Sequence, residues 1–231
     1  MSDPDPGPGP GPGPGAGIIL VFDLDQTLID SGALTRESEQ GRRRPFPSYL
    51  NITLIETVLR PAVQMRGRGV DAILLLTNNS DTEYIVYVLK GLNSVVLGND
   101  DTDVFDSFMD RYDIDRHDKS NTETPTKSIE DVKNMLREHL PALSRVNLPQ
   151  RIYFFDDNTD HVIGGQIPAE HYFKIQSAGN PGFTVGNKDT TDYTVITRLL
   201  QGKVGGMRKR KRGKKTKKRL RRRSRHRTRK N

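Results

Sequence analysis

The sequence predicts an α/β protein with a doubly wound parallel sheet of the Rossmann type. Three apolar runs, at 18–22, 72–76 and 152–155, are rich in β-branched and aromatic residues, which is typical of strands covered on both faces. Helix-like stretches alternate with these runs, and helices that join parallel strands make right-handed crossovers. Together, the buried strands and the alternation predict helices on both faces of one sheet.

The remaining elements follow in chain order. Shorter strand candidates lie at 94–97 and 171–175. The four predicted helices span 52–66, 81–92, 128–139 and 192–200. No internal repeat is visible. About 185 residues lie between two compositionally biased ends, which is enough for one domain with its own core.

The two ends of the chain differ from its body. Residues 1–17 are almost all Gly and Pro, with nothing to bury, so we expect this head to be disordered. From residue 207 onward there are 17 Lys or Arg and no acidic residue, whereas the rest carries 20 basic and 29 acidic residues, a net charge of −9. We therefore predict a folded α/β domain over 18–202, followed by a disordered basic tail over 203–231.

The basic tail is typical of segments that contact nucleic acid through phosphate charge and counterion release. Its first basic residues are Arg208, Lys209, Arg210, Lys211, Arg212, Lys214 and Lys215. It also fits a nuclear-localisation signal. No aromatic residue interleaves, so we expect no base stacking, and no apolar periodicity suggests a membrane-binding helix.

Composition excludes several classes of protein. Cys is absent, so there is no disulfide, no thiolate metal ligand and no Cys nucleophile. No apolar run reaches the ~20 residues that span a membrane, and the N-terminus lacks a signal-peptide pattern. We expect a protein of the nucleus or cytoplasm that is neither secreted nor membrane-bound.

Polar residues follow each of the three long strands. These residues are Asp23 and Asp25, then Thr77 and Asn78, then Asp156 and Asp157. Because ligands of an open α/β sheet bind at the carboxyl ends of its strands, we expect these side chains to meet there. Crowded carboxylates repel one another unless a cation neutralises them, and an all-oxygen ligand set favours Mg²⁺.

A phosphate group can complete the ligand shell of such an ion, and phosphoryl transfer at this site would need a lysine to offset charge in the transition state. Lys127 directly precedes a predicted helix, whose first amides add positive potential. Lys119, in a polar loop nearby, is an alternative. Thr77 either donates a hydrogen bond to a phosphoryl oxygen or caps the helix that begins near Asp81.

The order of these residues resembles the four motifs of the haloacid-dehalogenase-like hydrolase superfamily. Asp23-Leu24-Asp25-Gln26-Thr27 is followed by Thr77 after a strand, Lys127 at a helix start and Asp156-Asp157 after a strand. The likeness covers residues 18–175 and implies a magnesium-dependent phosphatase. It implies that Asp23 is the nucleophile that forms an aspartyl-phosphate, that Asp25 is the general acid and base, and that Thr77, Asn78 and Lys127 bind the phosphoryl group.

The resemblance also implies the metal ligands. Mg²⁺ would be held by the Asp23 side chain, the Asp25 backbone carbonyl and Asp157, while Asp156 shares the metal or holds Lys127. Thr27 would brace the loop, and Asp160 is either a third carboxylate or a turn residue. His117, His139, His161 and His171 show no ligand-like spacing and are interpreted as ordinary surface or partly buried residues.

In this superfamily, a cap domain inserted after the first or second motif usually determines which substrates fit the site. This sequence has no room for such a domain. Residues 31–51 leave room for a flap, and the segment between Thr77 and Lys127 is needed for the sheet. An open site suits a phosphorylated macromolecule, protein rather than nucleic acid. The alternatives are a phosphatase of nucleic-acid ends tethered by the tail, and a non-catalytic nucleic-acid-binding protein on the same scaffold.

Two weaker likenesses refine this hypothesis. Leu59-Arg60-Pro61 is similar to the protein phosphatases that act on the RNA polymerase C-terminal domain, although the glycine usual after Arg-Pro is Ala62 here. The tail resembles those on proteins of nucleo-cytoplasmic large DNA viruses, which implies a viral source and a host-cell location.

Overall fold

The computed structural model describes residues 17–41, 44–99, 102–117, 126–143 and 147–208, with the backbone alone for 115–117 and 203–208. Its central feature is a five-stranded parallel sheet in the order β3-β2-β1-β4-β5. The strands are β1 (Ile18–Phe22), β2 (Val70–Leu76), β3 (Ser107–Met109), β4 (Ile152–Asp156) and β5 (Tyr172–Lys174). A small antiparallel pair, β6 (Gln176–Ser177) and β7 (Asn180–Pro181), follows. The arrangement is compatible with a Rossmann-like α/β fold.

Seven α-helices accompany the described strands. They are α1 (Ser31–Glu39), α2 (Ile52–Leu54), α3 (Arg60–Gln64), α4 (Thr82–Leu97), α5 (Arg111–His117), α6 (Ile129–His139) and α7 (Thr194–Arg208). A π-helical segment, Ile55–Leu59, joins α2 to α3, and 3-10 turns lie at Phe46–Tyr49, Val162–Gly165 and Ala169–His171. None of the described helices has the length and apolar content of a membrane span.

The middle strand, β1, lies between β2 and β4, and all five of its residues are buried. Its side chains alternate between two cores, Leu20 and Phe22 in the larger one and Ile19 and Val21 in the smaller one. The first core also contains apolar residues of α2, α4 and α7, and the second those of α5 and α6. Burial on both faces explains why β1 is a continuous apolar run.

The strand predictions are confirmed for 18–22, 72–76, 152–155 and 171–175, and the prediction for 94–97 is wrong. Residues 94–97 form the last turn of α4, because Val96 continues a buried stripe with Val88 and Leu92 at helical spacing. Gly98, with φ 77°, ends this helix in the left-handed conformation. The outer strand next to β2 is instead β3, which is only three residues long.

The segment after the first motif contains a helix, α1, that its polar composition did not predict. Asp30 caps it by accepting a hydrogen bond from the Ala33 N–H at 2.8 Å. Its buried face consists of Ala33 and Leu34, too few apolar residues for a periodic signal. The helix is therefore fixed by its cap and by its neighbours in the fold.

In the segment Leu59-Arg60-Pro61, the Arg60 side chain connects two helices. The Arg60 guanidinium donates hydrogen bonds to the carbonyls of Val95 and Val96, at 2.9 and 2.7 Å, and pairs with Glu56. These carbonyls belong to the last turn of α4, where the helix leaves acceptors unsatisfied. Arg60 therefore ties α3 to the C-terminal end of α4.

The last helix, α7, runs to Arg208, past residue 202, where the sequence places the end of the domain. Head residues 1–16 and tail residues 209–231 lie outside the described residues. Their predicted disorder, and the basic residues from Lys209 to Lys215, therefore stay predictions.

Candidate active site

The polar residues that follow β1, β2 and β4 meet at the carboxyl edge of the sheet, in a cleft of about 820 Å³. All seven residues that the sequence selects as catalytic, metal-binding or substrate-binding line this cleft. Parallel pairing brings them together: the Asp23 N–H donates to the Phe155 carbonyl at 2.8 Å, which places Asp23 beside the end of β4. The strand order therefore converts chain-distant motifs into one site.

Lys127 lies at the centre of the site, 1% exposed. Its Nζ donates to Asp23 Oδ1 at 2.5 Å and to Asp156 Oδ2 at 2.6 Å. Burial alone lowers the pKa of Lys127, but the two carboxylates outweigh burial and raise the pKa above its usual value. The lysine is therefore a buried, charged ammonium group held between two aspartates.

The aspartates are more numerous than the cations that face them. Burial raises the pKa of Asp23 well above its usual value; Lys127 opposes this effect and Asp156 adds to it. Burial, and then the charge of Asp156, raises the pKa of Asp157 to about 6. Both pKa shifts have burial as their main cause, and the negative charge of Asp156 adds to each of them.

Three carboxylates form a group that could hold a metal ion. Asp23, Asp156 and Asp157 each offer an oxygen, and these oxygens lie within 4.8 Å of one another. Asp156 already accepts from Lys127 through Oδ2 and from the Asn158 N–H, at 2.8 Å, through Oδ1. The contacts of Asp156 therefore suit holding Lys127, and Asp23 and Asp157 have more capacity left for a cation. A purely carboxylate set fits a hard divalent ion.

Asp25 lines the cleft but lies outside that group of three. Its Oδ2 accepts from the Asn79 side-chain amide at 2.9 Å. Its Oδ1 is buried and has no hydrogen-bond partner among the described residues. A buried carboxylate oxygen without a partner is costly, and it is suited to a proton or to a substrate donor. Gln26, at φ 57°, turns the chain sharply just after Asp25.

Thr77 is 1% exposed, and its Oγ1 accepts from the Asn79 N–H at 3.1 Å. It does not cap α4, because Asp81 does so by accepting from the Tyr84 N–H at 2.9 Å. The capping alternative for Thr77 is therefore wrong. Together with Asn78, Thr77 forms part of the cleft wall.

Of the two candidate lysines, Lys127 and Lys119, only Lys127 is among the described residues. Lys127 precedes Ser128, which starts α6 with a reciprocal capping box to Asp131, so the predicted helix start is confirmed. Lys119 lies outside the described residues.

Thr27 has a buried hydroxyl with no partner among the described residues. Its carbonyl accepts a hydrogen bond from the Asn51 side chain at 3.1 Å. Thr27 does not line the cleft.

His161 belongs to the site although sequence reasoning set it aside. Its Nδ1 accepts from the Lys127 N–H at 3.4 Å, and its Nε2 lies 3.6 Å from Asp156 Oδ2. Ile163 donates its N–H to the Lys127 carbonyl at 2.9 Å. Burial first, and then the nearby Lys127, lower the pKa of His161. The segment 161–163 therefore holds the Lys127 backbone from both sides, and only its position soon after Asp156 hints at this in the sequence.

Gly182 is a second residue that sequence reasoning missed. It has φ 75°, and a Cβ at this position would lie 2.9 Å from the Gln26 Cβ and 3.2 Å from the Asp157 Cβ. Phe183 donates its N–H to the Gln26 carbonyl at 2.5 Å. The loop after β7 therefore packs directly beneath the first motif and Asp157.

The other candidates lie outside the site. Asp160 is exposed and donates its N–H to Asn158 Oδ1 at 3.0 Å, so it is a turn residue. His171 stacks on Tyr153, with its Nδ1 3.1 Å from the Ile152 carbonyl, and His139 is exposed. His117 ends α5, where only the backbone is described.

No protein family, no curated protein and no solved structure matches the chain. The case for a function therefore depends on the fold and on the geometry of the cleft.

Proposed function

We propose that the chain is a magnesium-dependent phosphatase of the haloacid-dehalogenase-like superfamily. More particularly, we propose a phosphomonoesterase that forms an aspartyl-phosphate on Asp23 and acts on a phosphorylated macromolecule. One observation carries the proposal: the Lys127 ammonium lies between Asp23 and Asp156, with Asp157 in the same group of carboxylates. Fixed positive charge beside a carboxylate nucleophile is what transfer of an anionic phosphoryl group requires.

The proposed reaction has two steps. In the first, a carboxylate oxygen of Asp23 forms a bond to phosphorus while the bond from phosphorus to the leaving oxygen breaks, and Asp25 donates its proton to that oxygen. In the second, Asp25 takes a proton from a water molecule that attacks phosphorus, which releases inorganic phosphate and restores Asp23. The unpartnered buried oxygen of Asp25 supports this role.

Lys127 and Thr77 have supporting roles in the proposal. The Lys127 ammonium holds Asp23 in position and offsets the negative charge of the phosphoryl group. Thr77 and Asn78 also line the cleft and would donate hydrogen bonds to phosphoryl oxygens.

Mg²⁺ fits the donor set, because the site presents only oxygen ligands and an excess of buried carboxylates. Asp23 and Asp157 would hold it, with the Asp25 carbonyl and, in part, Asp156. When bound, such an ion screens the repulsion between a carboxylate and an anionic phosphoryl group.

The macromolecular substrate is proposed from the shape of the cleft. The segment between β1 and β2 contributes a single short helix, α1, to its wall, and the cleft of about 820 Å³ is open. An open site of this kind can take a phosphorylated side chain that projects from a protein.

The test is hydrolysis of p-nitrophenyl phosphate with and without Mg²⁺. We expect magnesium-dependent activity that Asp23→Asn abolishes. Asp160→Asn is the matched control, since it removes a carboxylate that follows the neighbouring strand, β4, and lies outside the cleft, and it should retain wild-type activity. Equal activity in wild type and Asp23→Asn would refute the enzyme proposal. Calorimetry of Mg²⁺ binding to each variant tests the metal site independently of activity.

The basic tail supports a second, separate proposal, that the chain contacts nucleic acid. A segment with 17 Lys or Arg and no acidic residue attracts phosphate backbones, whereas the acidic remainder of the chain does not. Deleting residues 209–231 should lower DNA and RNA affinity and leave p-nitrophenyl phosphate hydrolysis intact. Unchanged nucleic-acid affinity after the deletion would contradict this proposal. A preference for phosphorylated oligonucleotide ends over phosphopeptides would favour the end-phosphatase alternative.

A further inference from the structure

Helix α1 forms one wall of the cleft through a single face. Ser31, Gly32, Thr35 and Arg36 line the cleft, whereas Ala33 and Leu34 point into the core. The helix is anchored at its start, because Asp30 accepts from the N–H groups of Ala33, at 2.8 Å, and Val185, at 2.7 Å. The position of this face relative to Asp23 is therefore set by the fold.

Arg36 is the cation in this wall that remains available. The described cleft-lining residues include five aspartates and two cations, Lys127 and Arg36. Lys127 is buried and bonded to Asp23 and Asp156. Arg36 is exposed, and among the described residues its guanidinium has no ion-pair or hydrogen-bond partner, although carboxylates line the same cleft.

Space for a ligand lies beside Arg36. A Cβ at Gly32 would meet no atom closer than Asp30 Oδ1, at 3.6 Å, and Gln26 Nε2, at 3.9 Å. The cleft side of α1 is therefore open between the first-motif loop and the guanidinium group. Gly32 and Arg36 lie one helical turn apart and line the same cleft as Asp23.

We propose that Arg36, with Thr35, forms a subsite for a second anionic group on the substrate, next to the phosphate that is removed. This inference rests on the proposed function. The substrate class is a phosphopeptide with an acidic residue, or a second phosphorylated residue, beside the one that reacts. A guanidinium binds carboxylate and phosphate through two parallel hydrogen bonds, and the Thr35 hydroxyl adds a donor at the same face.

The charge of the cleft favours a peptide over a nucleic-acid strand. A strand carries a phosphate at every nucleotide and needs several cations along its path. Beyond Lys127 and Arg36, the charged residues that line the described cleft are aspartates, including Asp81 at the start of α4. One available cation matches one additional anionic group.

The test compares phosphoserine peptides that differ only in the neighbouring residue: neutral, Asp, or phosphoserine. For the wild-type protein, kcat/KM should be highest for the acidic neighbours. Arg36→Gln should lower the ratio of kcat/KM for the acidic peptides to kcat/KM for the neutral peptide by about ten-fold or more. This is the effect expected from the loss of one charge-assisted hydrogen-bonded pair. Arg68→Gln is the matched control, because Arg68 is exposed but precedes β2, at the opposite end of the sheet from the cleft.

Charge reversal makes the test sharper. Arg36→Glu should shift the preference toward a peptide with a neighbouring Lys. An unchanged selectivity ratio in both Arg36 variants would overturn the subsite. Dependence on Arg36 for a phosphorylated oligonucleotide but not for the peptides would overturn the substrate class.

Failure of the proposed function is distinguishable from failure of the subsite. If the wild-type protein hydrolyses neither p-nitrophenyl phosphate nor any peptide, the phosphatase proposal fails. Binding of the doubly phosphorylated peptide, measured by fluorescence polarisation, then tests the subsite alone. Weaker binding to Arg36→Gln than to Arg68→Gln supports it, and equal binding refutes it.

Discussion

Replacing Gly182 with Ala tests whether the loop after β7 sets the geometry of Asp157. Gly182 is buried with φ 75°, and Gly179, in the turn between β6 and β7, is exposed with φ 81°. A Cβ at Gly182 would lie 2.9 Å from the Gln26 Cβ and 3.2 Å from Asp157, whereas a Cβ at Gly179 would meet nothing within 4 Å. The two substitutions share a backbone penalty and differ in the contact.

The magnitudes follow from that difference. An alanine in the left-handed region costs about 1–2 kcal/mol, so Gly179→Ala should unfold about 2–8 °C below wild type, and Gly182→Ala, which adds the close contact, should unfold at least as far below it. Carbon atoms normally pack at about 3.5–4.0 Å, so at Gly182 either Gln26 or Asp157 has to move. Displacing the support of a metal ligand typically lowers metal affinity by about 10–100-fold. We expect that loss in Gly182→Ala and no loss in Gly179→Ala.

The assay is Mg²⁺ titration by calorimetry, together with magnesium-dependent p-nitrophenyl phosphate hydrolysis, on both variants at a temperature where each is folded. Lower Mg²⁺ affinity in Gly182→Ala alone supports the reasoning. Equal Mg²⁺ affinity and activity in the two variants would show that the loop does not position Asp157.

Three further predictions concern groups at the two ends of the sheet. Lys127→Gln leaves two buried carboxylates facing each other, so we expect the free energy of unfolding to fall by about 3–5 kcal/mol. In thermal denaturation, adding Mg²⁺ should raise the Tm of this variant by more than it raises the Tm of wild type. Arg151→Met removes a buried guanidinium bonded to Asp71 and to the Gly17 carbonyl and should lower the free energy of unfolding, measured by urea denaturation, by about 3 kcal/mol; a decrease of less than about 1 kcal/mol would contradict this prediction. Burial lowers the pKa of His171, against the opposing charge of Glu170, so the stabilising effect of the neutral ring is present above pH 6.5 and is lost as pH falls below it. His171→Phe should therefore lose less stability than wild type between pH 7 and pH 5 in urea unfolding, and parallel losses would exclude the histidine as the cause.

The elements that the sequence predicted well are those whose burial repeats along the chain. β1 is buried on both faces, so every residue in it is apolar and the pattern is unambiguous. The run at 94–97 looked the same over four residues, but it is one part of the longer helical stripe of α4. β3 and α1 carry too few apolar residues to show a period, because neighbouring elements and a cap stabilise them.

The site divides in a similar way. Asp23, Asp157 and Lys127 could be selected because each follows a strand or precedes a helix, and strand order brings such positions together. His161 and Gly182 could not, since their importance depends on the Lys127 backbone and on the Asp157 side chain, which are distant in the chain. Contacts made by loops produce no repeating pattern of apolar residues in the sequence, so the sequence does not reveal them.

The anchoring of Gly17 by Arg151 has a practical consequence for handling the protein. The Gly17 carbonyl is fixed at 2.7 Å from Arg151 Nε, at the amino end of β1. Five strand residues then separate this attachment point from Asp23, a distance of roughly 20 Å along the strand. An affinity tag or a surface linker joined ahead of residue 17 would thus emerge on the side of the sheet remote from the cleft, and immobilised protein should still admit bulky substrates.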